Sequence, residues 1–119
     1  MEMRTASPQD TEMMIFGSGF SAYQHWGSLT PMFAHPVPDD WEWLVEYWEI
    51  KDESWKVATV THEIVMRSVQ LIAKGDVLGT PGYTVMQCRL LMFDSEEADL
   101  DSNDVDVVLQ LAIFGEIRY

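Results

Sequence analysis

The chain has 119 residues, of which 47% are hydrophobic, so it is long and apolar enough to form one domain, residues 1–119, around one core. Twenty Asp and Glu residues oppose seven Lys and Arg residues, which gives a formal net charge of −13. This balance argues against direct binding to nucleic acids and against attraction to anionic membranes, because both need basic side chains. The partners that fit are cations and proteins with strongly basic surfaces.

The cysteine content and the first residues indicate in which cellular compartment the protein is expected. Cys88 is the single cysteine, so the chain forms no internal disulfide and a reducing compartment is expected. The first residues, "MEMRTASPQDTEMM", lack the basic start and the apolar stretch of a signal peptide. No apolar run approaches the roughly 18 residues that a membrane span needs. We therefore expect a protein located in the cytoplasm.

The first predicted element is a short helix in "SPQDTEMMIFG". Ser7 is expected to be its N-cap, Pro8 suits the first helical position, and Asp10 stands where a capping box places an acid. Gly17 is expected to end the helix.

The next segment, "SGFSAYQHWGSLT", fits either a strand or a helix, and the glycines on both sides favour the strand. Three prolines then predict a loop in "TPMFAHPVPDD". In the strand interpretation, one face of the segment carries Phe20, Ala22, Gln24 and Trp26.

Residues 41–61 predict a β-hairpin, because "WEWLVEYWEI" and "WKVATVT" are rich in β-branched and aromatic residues. A four-residue turn, "KDES", is expected at residues 51–54. Alternation assigns the apolar side chains of the first strand to the core and a mixed acidic and apolar set to a partly exposed face. The core-facing set is Trp43, Val45 and Tyr47, and the exposed set is Glu42, Leu44, Glu46 and Trp48.

Three helices are predicted in the C-terminal half. Thr61 is expected to cap "HEIVMRSVQLIAK", which closes at Gly75, and "YTVMQCRLLMF" forms the second helix. The third begins at a cap on Asp101 or Ser102 and runs through "VVLQLAIF" to Gly115. Because it is apolar almost all round, it is expected at the centre of the core. The predicted fold is α+β: a short antiparallel sheet on the 41–61 hairpin, with a further N-terminal strand left open, packed against three C-terminal helices.

The acidic stretch before the third helix matches a calcium-binding loop only in part. Its first residues have the 1-3-5 spacing of an EF-hand, but the glycine, apolar and glutamate positions that should follow are all occupied by other residues. The matching residues are Asp99, Asp101 and Asn103, and the failing ones are Asp104, Asp106 and Gln110. We expect no metal and no cofactor.

Helix initiation explains about half of this acidic stretch. Acids at the cap and in the first turn favour the positive end of the helix dipole, which accounts for Asp101, Asp104 and, less directly, Asp106. Four acids remain without such a role and are candidate partner-binding residues: Asp94, Glu96, Glu97 and Asp99.

The side chains that carry most catalysis give no pattern for an enzyme. Cys88 lies on a predicted apolar helix face, where a buried inert thiol is expected, and His62 is expected on the surface. His25 and His35 lie in segments of uncertain structure, and no His and Cys cluster has zinc-ligand spacing. We therefore predict a protein without enzymatic activity.

The exposed face of the first hairpin strand is the second candidate for partner binding. Electrostatics there would speed docking and select basic partners, while affinity would come from apolar anchors. Trp48 and Leu44 are the expected anchors beside Glu42 and Glu46. The alternative is that Trp48 packs beneath the N-terminal segment.

The C-terminal half of the chain, from "VATVTHEIV" at residues 57–65 through "SEEADLDSNDVDVVLQLAIFGEIRY" at residues 95–119, resembles small acidic proteins of bacteriophages and actinobacterial genomes that have no established activity. The resemblance covers roughly half of the chain. By analogy with small acidic phage proteins, it implies a DNA mimic or an inhibitor of CRISPR or restriction systems.

The function hypothesis is therefore a phage-encoded inhibitor that occupies the basic nucleic-acid-binding surface of a host defence protein in the host cytoplasm. A homodimer is left open. The alternatives are a phage structural or accessory subunit that self-assembles through the aromatic hairpin, and a small hydrolase with carboxylate chemistry.

Overall fold

In the computed structural model, which describes residues 5–17, 27–34 and 36–117, the chain is an α+β domain, as predicted. Three strands form one antiparallel sheet among these residues, and the three long helices follow the sheet in the chain. In chain order the elements are α1 (Pro8–Glu12), a π-helical segment (Met13–Gly17), β1 (Gly27–Pro31), β2 (Glu42–Glu49), β3 (Ser54–Thr61), α2 (His62–Ala73), α3 (Gly82–Phe93), a 3-10 turn (Ser95–Glu97) and α4 (Ser102–Phe114).

The predicted hairpin is confirmed, but its predicted turn is wrong by one residue. The turn occupies residues 50–53 rather than 51–54, because Glu49 pairs with Ser54. Glu53 adopts a left-handed backbone conformation, φ 48°, that closes the turn. The strand β1 adds the further N-terminal strand on the other side of β2, where Gly27 pairs with Tyr47.

The predicted strand face at residues 20–26 lies outside the described residues, as do His25 and His35. The predicted loop after β1 is confirmed from residue 32 onward, while Thr30 and Pro31 still belong to the strand. Pro31 is tolerated there because it ends the strand, and its partner is Trp43.

The core lies between one face of the sheet and the helices. Val45 and Val60 are fully buried on that face, and the ring of Tyr47 meets Phe114 of α4 edge to face at 5.1 Å between centroids. The prediction that Trp43, Val45 and Tyr47 face the core is confirmed. Helix α4 is the central helix, as predicted, because its residues Val105, Val108 and Leu109 have no exposed surface.

The predicted helix caps are also confirmed. The Thr61 hydroxyl accepts a hydrogen bond from the Ile64 N–H at 3.3 Å, and Ser7 and Asp10 form a reciprocal capping box at α1. At α4 the cap is Asp101, which forms the same box with Asp104. Asp106 has a different role from the one predicted, because its carboxylate accepts from the Gln110 amide at 2.7 Å.

Helix α3 turns polar side chains inward. Thr84 is 1% exposed and donates to the Asp104 carboxylate at 2.5 Å, while Gln87 accepts from the Asp99 N–H at 2.7 Å. These two bonds join α3 to the start of α4 and to the segment before it. The buried side chains of Thr84 and Gln87 therefore both have a partner, as burial requires.

Residues 5–9 tie the helices to the sheet. The Ala6 N–H donates to the Leu91 carbonyl at 2.8 Å, and the Trp41 indole donates to the Pro8 carbonyl at 2.5 Å. Within the described ranges, no helix has both the length and the apolar character needed to cross a membrane.

Candidate partner-binding surface

The face of the sheet that points away from the helices carries the four predicted residues of β2. Alternation places Glu42, Leu44, Glu46 and Trp48 on this side, which we call the outer face. Glu42 and Glu46 are exposed, Leu44 is half-buried, and Trp48 is 41% exposed. The exposure of Trp48 argues against the alternative in which it packs beneath the N-terminal segment.

The neighbouring strand β3 contributes two apolar side chains to the outer face that sequence reasoning missed. Trp55 is 63% exposed and Val57 is 60% exposed. Trp55 pairs with Trp48, and the two indoles meet edge to face with centroids 5.5 Å apart. Val57 stands opposite Glu46. Alternation in "WKVATVT" already indicates that Trp55 and Val57 lie on the same face of their strand. Which face of β2 they join depends on how the two strands pair, and the sequence alone does not give that register.

The outer face carries negative charge without basic side chains to compensate it. The strand positions that share it are Ser28 and Thr30 on β1 and Thr59 and Thr61 on β3, besides the residues already named. None of these described positions is Lys or Arg. Lys56 pairs with Tyr47 and therefore lies on the opposite side of the sheet.

Lys56 is also engaged within the hairpin. It forms an ion pair with Asp52 of the turn, and this bond lowers the pKa of the Asp52 carboxyl and raises that of the Lys56 ammonium. The pair neutralises one acid of the turn, but it leaves Glu42 and Glu46 uncompensated.

The second predicted acidic set lies between α3 and α4. Asp94, Glu96, Glu97 and Asp99 are all exposed, whereas Ser95 between them is buried. The segment has a fixed backbone, because the Asp94 N–H donates to Leu90 and the Asp99 N–H donates to Gln87. We call residues 94–99 the acidic linker.

Residues 5–9 contact both the end of α3, which precedes the acidic linker, and the residues that precede β2. The Thr5 hydroxyl donates to the Met92 carbonyl at 2.7 Å, and the Gln9 amide donates to Asp39 at 2.6 Å. The acidic linker belongs to the helical layer, however, while Glu46 and Trp48 lie on the other side of the sheet.

A third acidic region borders His62. A cavity of about 310 Å³ is lined by Asp39, Asp40, Trp41, Glu42, Thr61, His62, Glu63 and Pro8. His62 begins α2, as predicted, but it is half-buried rather than fully exposed, and its Nδ1 lies 2.8 Å from the Thr11 hydroxyl. Burial lowers the pKa of His62, against the opposing effect of Glu63 and Asp10.

Two side chains of types that can act as nucleophiles, Cys88 and Thr11, are buried. Cys88 has no exposed surface, and burial raises the pKa of its thiol to about 12. Thr11, the hydroxyl bonded to His62, is only 1% exposed. In the part of the chain that the structure describes, no three or more His, Cys, Asp and Glu side chains are grouped to hold a metal ion.

No protein-family model, no curated protein and no solved structure matches this chain. The resemblance of the C-terminal half to phage and actinobacterial proteins therefore stays an expectation from the sequence. The function has to be argued from the surfaces described above.

Proposed function

We propose that this protein is a non-enzymatic interaction protein whose outer face binds a strongly basic surface of another protein. The observation that carries the proposal is the combination on one sheet face of an exposed tryptophan pair, Trp48 and Trp55, with Glu42 and Glu46 and with no basic residue at the described strand positions. A basic surface that normally binds nucleic acid is the kind of partner that this chemistry fits.

The tryptophan pair supplies the apolar anchors that a binding face needs. Trp is among the residues that most often dominate binding energy, and anchors of this kind are effective when surrounding contacts exclude water. Val57 lies next to the pair on the same face, and Leu44 lies one position beyond Glu46 on β2. Glu46 therefore stands among the apolar side chains, where it can meet a basic group beside the anchors, while Glu42 lies at the far end of the face.

Charge favours a basic partner over a second copy of the chain. The formal net charge is −13, and two copies meeting through their outer faces would bring four uncompensated glutamates together. Like charges across an interface cost several kcal/mol, whereas a basic partner would be attracted and steered.

The basic partner can also be assigned to a class of proteins. By analogy with small acidic phage proteins, the partner is a nucleic-acid-binding host defence protein of the CRISPR or restriction type, and the protein acts as a phage-encoded inhibitor in the host cytoplasm. What supports this step is the resemblance of the C-terminal half together with the acidity of the chain.

A capture experiment with matched charge reversals tests the proposal. Immobilised protein is exposed to bacterial lysate at about 0.05 M and about 0.5 M salt, since salt screens charge attraction. We expect nucleic-acid-binding proteins to be captured at low salt only and to be displaced by excess duplex DNA or RNA. Glu46→Lys should abolish capture, and Asp76→Lys, an equal charge change at an exposed turn outside the outer face, should retain it. Equal capture by the two variants would refute the proposal.

The second candidate function is assembly into a larger structure through the hairpin. It is favoured by the exposure of Trp55, Val57 and Ile50, which is 65% exposed in the turn beside them. Light scattering separates the two candidates. A large oligomer that persists at high salt and is lost in Trp55→Ala indicates assembly, while a small species at every salt concentration indicates a binding protein.

A further inference from the structure

A groove of about 600 Å³ opens beside α1, on the side of the molecule where β1 ends. Its walls are mainly apolar and aromatic, and its volume lies in the range of small-molecule sites. The described residues that line it are Gln9, Glu12, Met13, Phe16, Pro31, Phe33, Pro36, Val37 and Trp43.

Glu12 is the one acidic residue among these described lining residues, and it is nearly buried. Its exposed fraction is 5%, no ion pair or hydrogen bond joins its carboxylate to another described residue, and its oxygens are not among the fully buried unpaired atoms, so they keep some contact with solvent at the groove. Burying a carboxylate without a partner is costly, so most proteins avoid it. A group of this kind at the wall of a groove points to a counter-ion supplied from outside the chain.

The aromatic walls add a second feature that suits a cation. The rings of Phe16 and Trp43 are stacked at 4.6 Å with an angle of 8° between their planes, and Phe33 stands at 71° to Trp43 with centroids 6.2 Å apart. Aromatic rings, and indole above all, attract organic cations through their negative faces.

From these observations we propose that the groove binds an organic cation, namely an ammonium or guanidinium group on an apolar stem, with Glu12 as its counter-ion. The stem would lie along Phe16, Phe33 and Trp43, and no Lys or Arg among the described lining residues competes for the carboxylate. A metal ion fits less well, because hard cations take several oxygen ligands and only one carboxylate lines the groove. The proposal goes beyond the proposed function and does not depend on it, because the groove and the outer face share no residue.

Calorimetric titration with a matched pair of probes tests the cation preference. Phenethylamine and the neutral phenethyl alcohol have the same aromatic stem and differ in charge. We expect the amine to bind at least about tenfold more tightly, since a charge-assisted bond is worth about 1.5–3 kcal/mol. Binding should also shift the indole N–H signal of Trp43 in an NMR spectrum, assigned by its loss in Trp43→Phe. Equal affinity of the two probes would overturn the proposal.

Two variants keep the result interpretable if binding is weak. Glu12→Gln should lose the preference for the amine, while Glu63→Gln, which removes an acid outside the groove, should keep it. Glu12→Gln should also unfold at the same or a higher temperature, because it removes a buried carboxylate that has no partner. A lower unfolding temperature would show that Glu12 serves the fold, and the assignment of Glu12 as counter-ion would then be wrong.

The cation could belong to a free amine or to a protein side chain, and a third probe separates these sources. Nα-acetyl-lysine methylamide presents a lysine as a protein does. Tighter binding of this probe than of phenethylamine assigns the groove to a protein side chain, and the reverse order assigns it to a free amine. If neither compound binds better to the wild type than to Glu12→Gln, the proposal fails, whatever the outcome of the Glu46→Lys experiment.

Discussion

The indole of Trp48 lies edge to face against the indole of Trp55, with centroids 5.5 Å apart, on the side of the sheet that the helices leave uncovered. Together the two rings expose more apolar surface than either would alone. An aromatic pair of this kind adds about 0.5–1.5 kcal/mol to stability beyond area burial. Its exposure shows that the fold does not use most of that surface, which makes it available to a partner.

Trp55→Ala separates the binding role of the pair from its structural role. Because Trp55 is 63% exposed, we expect the free energy of unfolding to fall only by about 0.5–1.5 kcal/mol, the contribution of the aromatic pair. Partner binding should weaken by about 2 kcal/mol or more, roughly thirtyfold. Urea unfolding and titration against the captured partner measure the two quantities. Tyr83→Ala, a truncation of an exposed aromatic residue on α3, is the control and should leave binding unchanged.

The acidic linker and the outer face are expected to affect different rate constants. Glu97 and Asp99 lie in the helical layer, so the double variant Glu97→Lys, Asp99→Lys should slow association by about threefold to tenfold at low salt through lost steering. Dissociation should stay as in the wild type. Glu46→Lys should instead also accelerate dissociation, because Glu46 lies beside the anchors. Surface plasmon resonance at two salt concentrations distinguishes them, and faster dissociation in the linker variant would place the linker inside the interface.

The bond between Thr84 and Asp104 should give the stability a measurable pH dependence. Burial raises the pKa of Asp104 above its ordinary 3.8, while the bonds from Thr84 and from the Asp101 N–H act in the opposite direction. Since the folded state holds the proton more tightly, the contribution of Asp104 is most favourable below pH 3.8 and declines as the pH rises through its folded pKa.

Thr84→Val tests this balance. At about pH 7 it leaves a buried carboxylate without its hydroxyl partner, so unfolding should become easier by about 1–3 kcal/mol. At about pH 3 the carboxyl is neutral and the loss should be smaller. Urea unfolding at both pH values provides the comparison, with Thr59→Val on the exposed strand position as control. A loss that grows on acidification would contradict the assigned direction.

Cys88 should be unreactive in the folded protein. Its pKa of about 12 instead of 9.0 means roughly a thousandfold less thiolate near neutral pH, and the sulfur has no exposed surface. A disulfide reagent should therefore label the native protein only at the rate of unfolding and should label the urea-unfolded chain at once. The assay is unambiguous because the chain has one cysteine. Rapid labelling of the native protein would show that the thiol is accessible.

Much of the fold follows from local patterns in the sequence. The helix caps at Ser7, Thr61 and Asp101 are read from side chains that bond to the backbone three residues further on, so no distant contact is needed to predict them. The faces of β2 follow from alternation alone. The position of the hairpin turn was predicted one residue too late, because the residues on both sides of the turn are also compatible with a turn. A turn at 51–54 would pair Ile50 with Trp55, whereas the observed partner of Trp55 is Trp48.

The candidate sites were predictable only in part, because they depend on which strands and helices meet. The outer-face residues of β2 were predicted, but the contribution of Trp55 required the register. The burial of Glu12 required the position of a five-residue helix against the sheet, which no periodicity reveals. The burial of Thr84 and Gln87 could not be predicted for the same reason, because the residues to which they bond lie 20 and 12 positions further along the chain.

The bonds of Thr5 and Ala6 reach partners more than 80 residues further along the chain. During synthesis residues 5 and 6 are made well before the backbone of Leu91 and Met92 with which they bond. The hairpin, whose strands are adjacent in sequence, can pair as soon as it emerges. Pro8 and Gln9 can meet Trp41 and Asp39 early, but the bonds of residues 5 and 6 form only once α3 has been made, so this segment is fixed in two stages.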